Sequence, residues 1–196
     1  MSPRDSSPTI AAILSAADSL LESGGRDAVT LRAVGQEAGV SRMTPYRHFE
    51  DKSALLHALA ERTLLAMAES IRSASAKASD PSEKLRAGAR AYLDHALGNP
   101  HHYQLIFGDT PLVQPGPQLN AAADDAMRAV EEIVTDAQAA GLLRAAPTRE
   151  LATVLWVLLH GLAALQITGH LHEPRTVDGD THLDVLLELA LAQLRP

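Results

Sequence analysis

Residues Thr30–Lys52 read TLRAVGQEAGVSRMTPYRHFEDK, a stretch that predicts two short helices joined by a tight turn. Thr30 is a good N-cap residue because its hydroxyl can accept a hydrogen bond from the backbone N–H two or three residues further on. The first helix has one apolar face, formed at helical spacing by Leu31, Val34 and Ala38. Gly39 can adopt the left-handed conformation that ends a helix without steric cost, and a second helix is predicted over Ser41–Phe49.

Three further residues of this stretch are predicted to hold the two helices together. Ala33 is small enough to let the second helix cross the first closely, while Val40 and Phe49 are predicted to lie in the core. Pro45 constrains the second helix, because proline is tolerated only in the first turn of a helix. The second helix is therefore predicted to begin near Arg42 or to have a distorted first turn.

The outer face of the predicted second helix carries residues suited to a nucleic acid, namely Arg42, Met43, Thr44, Tyr46, Arg47 and His48. Two short helices joined by a glycine turn form the unit that places a recognition helix in the major groove of DNA. Over residues 30–49, three arginines against one glutamate give a net charge of 3 − 1 = +2, whereas the whole chain carries −7. This local excess is compatible with DNA binding, because charges act over a Debye length of about 8 Å. It argues against binding driven by bulk charge alone.

The run VTLRAVGQEAGVSRMTPYRHFEDKSALL resembles the DNA-binding domain of the TetR family of bacterial transcriptional regulators, over roughly residues 9–60. Its segment TPYRHFEDK is similar to the family's small–aliphatic–Tyr–x–His–Phe–x–x–Lys ending, with Pro45 where the family usually has an aliphatic residue. In the family, the tyrosine that corresponds to Tyr46 donates its hydroxyl to a phosphate while its ring packs inward.

The resemblance also implies phosphate contacts from Thr30, Thr44, His48 and Lys52. Position on the helix makes Arg42, Met43 and Arg47 the candidates for contacts with base edges, and arginine is the side chain best matched to guanine O6 and N7. The complete predicted DNA-binding set is Thr30, Arg32, Ser41, Arg42, Met43, Thr44, Tyr46, Arg47, His48 and Lys52.

A second motif lies in the C-terminal part of the chain. Trp156-x-x-x-His160-Gly161, with Asn99-Pro100-x-x-Tyr103-x-Leu105-x-Phe107 upstream, resembles a TetR C-terminal subtype named for its Trp-His-Gly signature. In the family the last two helices, here near residues 148–170 and 181–195, pair with those of a second copy. A small apolar or amphipathic effector is also expected here, in a pocket lined by Tyr92, Tyr103, Phe107, Met127, Trp156 and His160. For any one of these residues, plain packing in the core is the competing explanation.

The composition predicts an all-α protein. Alanine and leucine, both good helix formers, are abundant, and no segment alternates with a clean period of two. Capping signals and glycine stops divide the chain into about nine helices, the first of which is predicted to end near Gly24-Gly25. Two domains are predicted: a helix-turn-helix DNA-binding domain over residues 1–52, and a C-terminal effector-binding and dimerisation domain over residues 53–196.

The segment Leu151–His172 contains no Asp, Glu, Lys or Arg and is long enough to raise the possibility of a membrane span. Interrupting polar residues and the lack of a basic flank favour a different explanation, a helix buried on nearly all sides with one face against a second copy. The first residues, MSPRDSSPTI, show no basic region followed by an apolar run, so we expect a cytoplasmic protein that does not enter the membrane.

No constellation of residues in the sequence predicts catalysis. The chain has no cysteine, no His-Glu-x-x-His motif and no Gly-x-Ser-x-Gly motif, and the adjacent His101 and His102 are expected to point away from each other on a helix. We therefore expect no enzyme activity, no metal and no cofactor. The predicted function is a regulator, most simply a repressor, that leaves double-stranded DNA when a small molecule of unknown identity binds. The alternative is a helical protein of the same ancestry that acts as a binding module or an enzyme.

Overall fold

The computed structural model of the chain describes residues 7–171 and 182–196, and within them the secondary structure is entirely helical. The nine helices described are α1 (Ser7–Ala28), α2 (Leu31–Glu37), α3 (Thr44–His48), α4 (Lys52–Ala76), α5 (Pro81–Gly98), α6 (Pro100–Phe107), α7 (Pro117–Ala139), α8 (Thr148–Ile167) and α9 (His182–Ala192). The all-α prediction is confirmed. Two predicted boundaries, His172 and Thr181, lie outside the described residues.

Several helices begin at the capping residues that the sequence indicates. The Thr30 hydroxyl accepts a hydrogen bond from the backbone N–H of Ala33 at 3.1 Å. The Asp51 carboxylate accepts from the N–H of Ala54 at 2.8 Å at the start of α4. Asp80 accepts from two backbone N–H groups in the first turn of α5. Each cap satisfies donors that would otherwise lack an acceptor within the helix.

The chain folds into two compact units. The first contains Met1–Thr63 and Asn99–Ala121, and the second contains Leu64–Gly98 and Ala122–Pro196. The chain therefore passes from one unit to the other within α4, between α5 and α6, and within α7. The units do not follow the predicted boundary between residues 52 and 53, because α6 packs on α1 and so joins the N-terminal helices. The functional division between residues 1–52 and 53–196 remains a prediction.

The first unit is built around α1, which packs on α2 and α6. Its apolar core includes Ile13, Ala17, Leu21, Val29, Val34, Leu55, Leu59 and Leu105. The helix is interrupted at Gly25, close to its predicted end near Gly24-Gly25, and further helical residues follow after this kink up to Ala28. Gly25 has φ +66° there, a conformation that side chains disfavour.

The turn between α2 and α3 differs in detail from the prediction. The second helix covers Thr44–His48 only, and Ser41–Met43 form a turn in which the Thr44 N–H donates to the Ser41 carbonyl at 2.9 Å. Pro45 is buried in the first turn of α3, where the missing N–H costs nothing. A Cβ atom placed on Gly35 would lie 3.2 Å from Pro45 Cγ. Gly35, and not the half-buried Ala33, is therefore the point where the helices approach closely.

The second unit packs α5 against α8 and α9, and α8 against α9. Its core includes Met67, Ile71, Leu93, Val134, Leu155, Leu159 and Leu187. A Cβ atom on Gly88 would lie 3.0 Å from two side-chain carbons of Ile133, so glycine permits the close approach of α5 and α7. On the surface, Arg72 binds the carboxylates of Asp125 and Glu132.

Among the described residues, one helix, α8, is long and apolar enough to cross a membrane by length and composition alone. A core helix of a water-soluble protein passes the same test. One face of α8, formed by Leu151, Leu155 and Leu159, is buried in the second unit, while other apolar side chains of the helix are exposed. One face of α8 is therefore buried within the chain, and burial of another face against a second copy stays a prediction.

Gly39 provides a test of the turn that the sequence predicts. Its φ is +64°, and a Cβ atom there would meet no atom within 4 Å, so only the backbone conformation opposes a side chain. We expect Gly39→Ala to lower the free energy of unfolding by about 1 kcal/mol. Gly98→Ala is the matched control, because Gly98 also has open space around it but no left-handed φ. Urea unfolding followed by circular dichroism measures both variants, and equal stability of the two would contradict the assigned strain.

Candidate nucleic-acid interface

The ten residues predicted to contact DNA all lie in the first unit, between the start of α2 and the start of α4. Seven are exposed, namely Thr30, Arg32, Ser41, Arg42, Met43, Tyr46 and Arg47. The other three are half-buried, namely Thr44, His48 and Lys52. The side chains needed for a contact with DNA are therefore accessible in the isolated chain.

Three members of this set differ from their predicted placement. Tyr46 is 46% exposed, so its ring does not pack inward as the resemblance implies. Arg42 and Met43 lie in the turn before α3 and not on a helix, and Met43 is 60% exposed. Of the predicted core residues, Phe49 is buried, whereas Val40 is only half-buried. The short α3 accounts for the placement of Arg42 and Met43, because it leaves the segment before Thr44 outside the helix.

Hydroxyl groups at this surface are partly engaged with the protein itself. Ser41 Oγ and Thr44 Oγ1 lie 2.7 Å apart and share a hydrogen bond, which ties the turn to the first residue of α3. The Thr30 hydroxyl accepts from Ala33, but its own hydrogen stays available to a phosphate oxygen. The Thr30 hydroxyl, and whichever of Ser41 and Thr44 accepts in their shared hydrogen bond, can therefore still donate to DNA.

The charges at this surface are not neutralised by neighbouring acids. Within the described residues, none of Arg32, Arg42, Arg47 and Lys52 forms an ion pair. Five arginines of the second unit differ, because Arg72, Arg86, Arg90, Arg128 and Arg149 each bind a carboxylate, whereas Arg144 and Arg195 form no ion pair among the described residues. Four cations without an ion-pair partner are thus grouped around α3, although the whole chain carries −7.

The six residues predicted to line an effector pocket divide between the units. Tyr103 and Phe107 belong to the first unit, and their ring centroids lie 4.9 Å apart. Tyr92, Met127, Trp156 and His160 belong to the second, where the rings of Trp156 and His160 lie 5.4 Å apart. Both tyrosines are buried, and the other four residues are half-buried. A shared pocket remains a prediction.

Burial lowers the pKa of His160 below its usual range, because the partly buried ring is removed from water and its charged form is disfavoured. A neutral imidazole can both donate and accept a hydrogen bond without the desolvation cost of a charge. His160 therefore has the properties of a polar group in an otherwise apolar environment.

A cleft of about 600 Å³ does exist within the second unit, but its lining differs from the prediction. Arg72, Lys84, Arg128, Glu132 and Asp136 line it, and none of the six predicted effector residues does. These charges pair with acids or bases nearby, as in the Lys84–Asp136 pair at 3.6 Å. The cleft thus combines these charged side chains with apolar surface from residues such as Ala76 and Ile133. In residues 7–171 and 182–196 there is also no group of three or more metal-ligating side chains.

Sequence reasoning missed a polar cluster in the first unit. Asp18 of α1 binds Arg62 of α4 and His102 of α6, and the neighbouring His101 binds the backbone carbonyl of Glu22. The two adjacent histidines therefore both bind α1, at positions four residues apart along that helix. The available signal was Asp18 itself, an acid next to the buried Ala17 on a helix with an apolar face.

Comparison with known proteins gives matches along most of the chain. The family described as bacterial regulatory proteins, tetR family, matches residues 13–59, and the tetracyclin repressor-like C-terminal domain matches residues 85–191. The HTH-type transcriptional activator FasR of Mycolicibacterium smegmatis is 26% identical over 125 residues, which are 63% of this chain and 57% of FasR. The matched region thus spans little more than half of that relative's length.

Solved structures extend the likeness to the whole fold. A protein of unknown function from Rhodococcus sp. RHA1 is 30% identical, with a TM-score of 0.81 and complete coverage of both chains. The fatty acid degradation regulator FadR from Bacillus halodurans has a TM-score of 0.71 over 94% of this chain and 93% of its own, but at 17% identity it shows a shared fold alone. On the C-terminal match, which covers more than half of its residues, and the N-terminal match beside it, the chain belongs to the TetR family of bacterial transcriptional regulators.

Proposed function

We propose that the chain binds a specific double-stranded DNA operator as a homodimer and that a small molecule controls this binding. The observation that carries the proposal is the group of cations around α3 that lack an internal partner, on a chain whose other arginines are largely paired. Arg32, Arg42, Arg47 and Lys52 supply local positive charge for phosphates and bases. The net charge of −7 disfavours indiscriminate binding along DNA.

The proposed contacts fall into two classes. Thr30, Arg32, Ser41, Thr44, Tyr46, His48 and Lys52 position the protein on the phosphate backbone, which gives affinity without reading sequence. Arg42, Met43 and Arg47 contact base edges in the major groove. A guanidinium group matches guanine O6 and N7, and the exposed Met43 side chain is suited to the methyl group of thymine.

Arg47 and Lys52 allow the two classes of contact to be separated. Arg47→Ala should cost about 1–3 kcal/mol on the preferred duplex and change base preference at particular positions, because a bidentate contact with guanine is lost. Lys52→Ala should weaken binding to all duplexes alike, because one phosphate contact is lost. The slope of log affinity against log salt concentration should fall in magnitude by about one. Fluorescence anisotropy on specific and random duplexes at several salt concentrations measures both. If Arg47→Ala weakened binding to the specific and the random duplexes equally, Arg47 would be assigned to the phosphate contacts.

The proposed dimer uses an apolar stripe that the isolated chain leaves exposed. Val154, Val157 and Leu165 are exposed on one face of α8, with Gly161 between them, and Leu189 is exposed on α9. A Cβ atom on Gly161 would meet nothing within 4 Å, so another helix has room to approach there. A two-fold dimer through α8 and α9 would cover this stripe and would present two recognition helices to a palindromic operator.

Val157→Asp tests the dimer, because it places a charge at the centre of the stripe, where Val157 is 54% exposed. We expect a lower dimer content and weaker binding to a palindromic duplex, as a desolvated carboxylate without a partner is costly. Leu158→Asp and Gly161→Asp should act alike if these residues face the partner. Val113→Asp is the control, since Val113 is 68% exposed in the first unit, away from the stripe. Light scattering that finds a monomer for the unaltered chain would refute the dimer.

The effector is proposed to be small and apolar or amphipathic, with repression as the simplest outcome. It can release DNA only if it binds better to a conformation in which the recognition helices no longer fit the operator. One relative carries the name of an activator, so activation is the alternative to repression. A reporter gene with and without the protein decides the sign. The TetR family assignment also supports the expectation of a cytoplasmic protein.

Trp156 tests the effector region. We expect Trp156→Ala to alter the response to ligand while leaving DNA affinity without ligand within a few fold, because Trp156 lies outside the unit that holds the DNA-binding residues. The probes are a panel of amphipathic molecules that includes straight-chain fatty acids, since one structural neighbour is a regulator of fatty acid degradation. The readout is DNA affinity by anisotropy. A panel without any effect on the unaltered protein, together with a crystal structure that shows solid packing around Trp156, would indicate regulation without a ligand.

A further inference from the structure

One carboxylate of the first unit joins three helices. Asp18 of α1 binds Arg62 of α4 through Oδ2, at 3.0 Å from Nη2. Its other oxygen, Oδ1, lies 3.3 Å from Nε2 of His102 in α6. A carboxylate only accepts hydrogen bonds, so His102 must carry its proton on Nε2. His102 is 8% exposed, which makes this contact a buried one on the histidine side.

Two more contacts hold α6 and the loop after it on α1. His101 Nδ1 lies 2.8 Å from the carbonyl oxygen of Glu22 and donates to it. Arg26 donates from Nη1 to the carbonyl of Thr110 at 2.6 Å. These contacts lie on either side of the kink at Gly25, just before the chain enters α2. The end of α1 that leads into the helix-turn-helix is therefore fastened to α6.

The two partners of Asp18 have particular places along the chain. Arg62 immediately precedes Thr63, the last residue of the first unit in α4. His102 lies in the first turn of α6, just after the chain returns to the first unit at Asn99. The carboxylate thus ties together two of the three segments through which the chain passes between the units. Asp18 therefore contacts α4 and α6 close to two of the places where the chain passes between the units.

We propose that Asp18 is a positioning residue that sets the placement of the helix-turn-helix by holding α4 and α6 to one point of α1. The inference rests on the proposed DNA-binding function. An isolated surface ion pair would have little effect, because its partners remain hydrated and mobile. Asp18 differs because its second partner is a buried histidine, which would lose its acceptor if the carboxylate were removed. Loss of the contacts that Asp18 makes with Arg62 and His102, here called the junction, should make the spacing of the two recognition helices in a dimer more variable. We expect this effect to be larger than the loss of folding stability.

The variants disrupt the contact between Asp18 and Arg62 from either side and leave His102 its acceptor. Asp18→Asn keeps an acceptor for His102 but turns an amide toward the guanidinium group of Arg62. Arg62→Met removes the charge and retains the aliphatic part of the side chain. Arg62→Lys keeps the charge and should preserve the preference for one half-site spacing. Arg149→Met is the matched control, because Arg149 forms a similarly exposed pair with Glu131, at 2.6 Å, within the second unit.

The experiment uses the full chain and duplex DNA. The unaltered protein first enriches its preferred palindrome from a randomised duplex pool, and each variant is then titrated with that duplex and with one that has a base pair inserted between the half-sites. We expect the insertion to lower the affinity of the unaltered protein for the duplex about tenfold or more, because the spacing of the half-sites must match that of the recognition helices in the dimer. For Asp18→Asn and Arg62→Met, the same insertion should lower the affinity for the duplex less than about threefold. The spacing of the two recognition helices is less fixed in these variants. Arg62→Lys and Arg149→Met should behave as the unaltered chain does.

Thermal unfolding of each variant distinguishes placement from plain stability. If Asp18→Asn and Arg62→Met lowered the unfolding midpoint but kept the full spacing preference, Asp18 would be a structural residue and the proposal would be overturned. Should Asp18→Asn fail to fold, the contrast between Arg62→Met and Arg62→Lys decides the question. Failure of the unaltered protein to enrich any duplex would instead refute the proposed function, and the inference with it.

Discussion

The close approach of Gly35 to Pro45 determines how α2 and α3 meet, and the candidate DNA surface depends on it. The added Cβ of any other residue would lie 3.2 Å from the proline ring, which is too tight without a shift of α3. Pro45 in turn keeps α3 short, because proline is accommodated only in the first turn. Arg42 and Met43 therefore project from a turn, where their direction depends on the Ser41–Thr44 hydrogen bond and not on helical geometry.

Charge is distributed unequally along the chain, and this distribution has a physical consequence for partner choice. Five arginines of the second unit are bound by carboxylates, and the hydrogen bonds and charge of Arg72 hold the pKa of Asp125 below its usual range. Their fields are therefore largely cancelled at a distance. The cations around α3 lack such partners among the described residues, so a long polyanion meets an attractive region on an otherwise acidic protein.

Helix α8 shows why apolar composition has more than one explanation. Its buried face, with Leu151, Leu155 and Leu159, belongs to the core of the second unit, while Val157 and its neighbours are exposed. The run without charges in the sequence therefore combines two surfaces with different roles. Composition alone does not distinguish a membrane, a core and a second copy as the apolar environment, because each of them excludes charge.

Interactions between residues close together in the chain could be predicted from the sequence. The caps at Thr30 and Asp51, the left-handed Gly39 and the all-helical fold follow from interactions between residues a few positions apart. The family was also visible in the sequence, through the resemblance of residues 9–60 and of the Trp156-His160-Gly161 motif to TetR regulators. Tertiary structure alone decided that α6 joins the N-terminal helices, that Tyr46 is exposed, and that Asp18 binds both Arg62 and His102. These contacts join residues tens of positions apart, and no local periodicity records which surfaces meet when the chain folds.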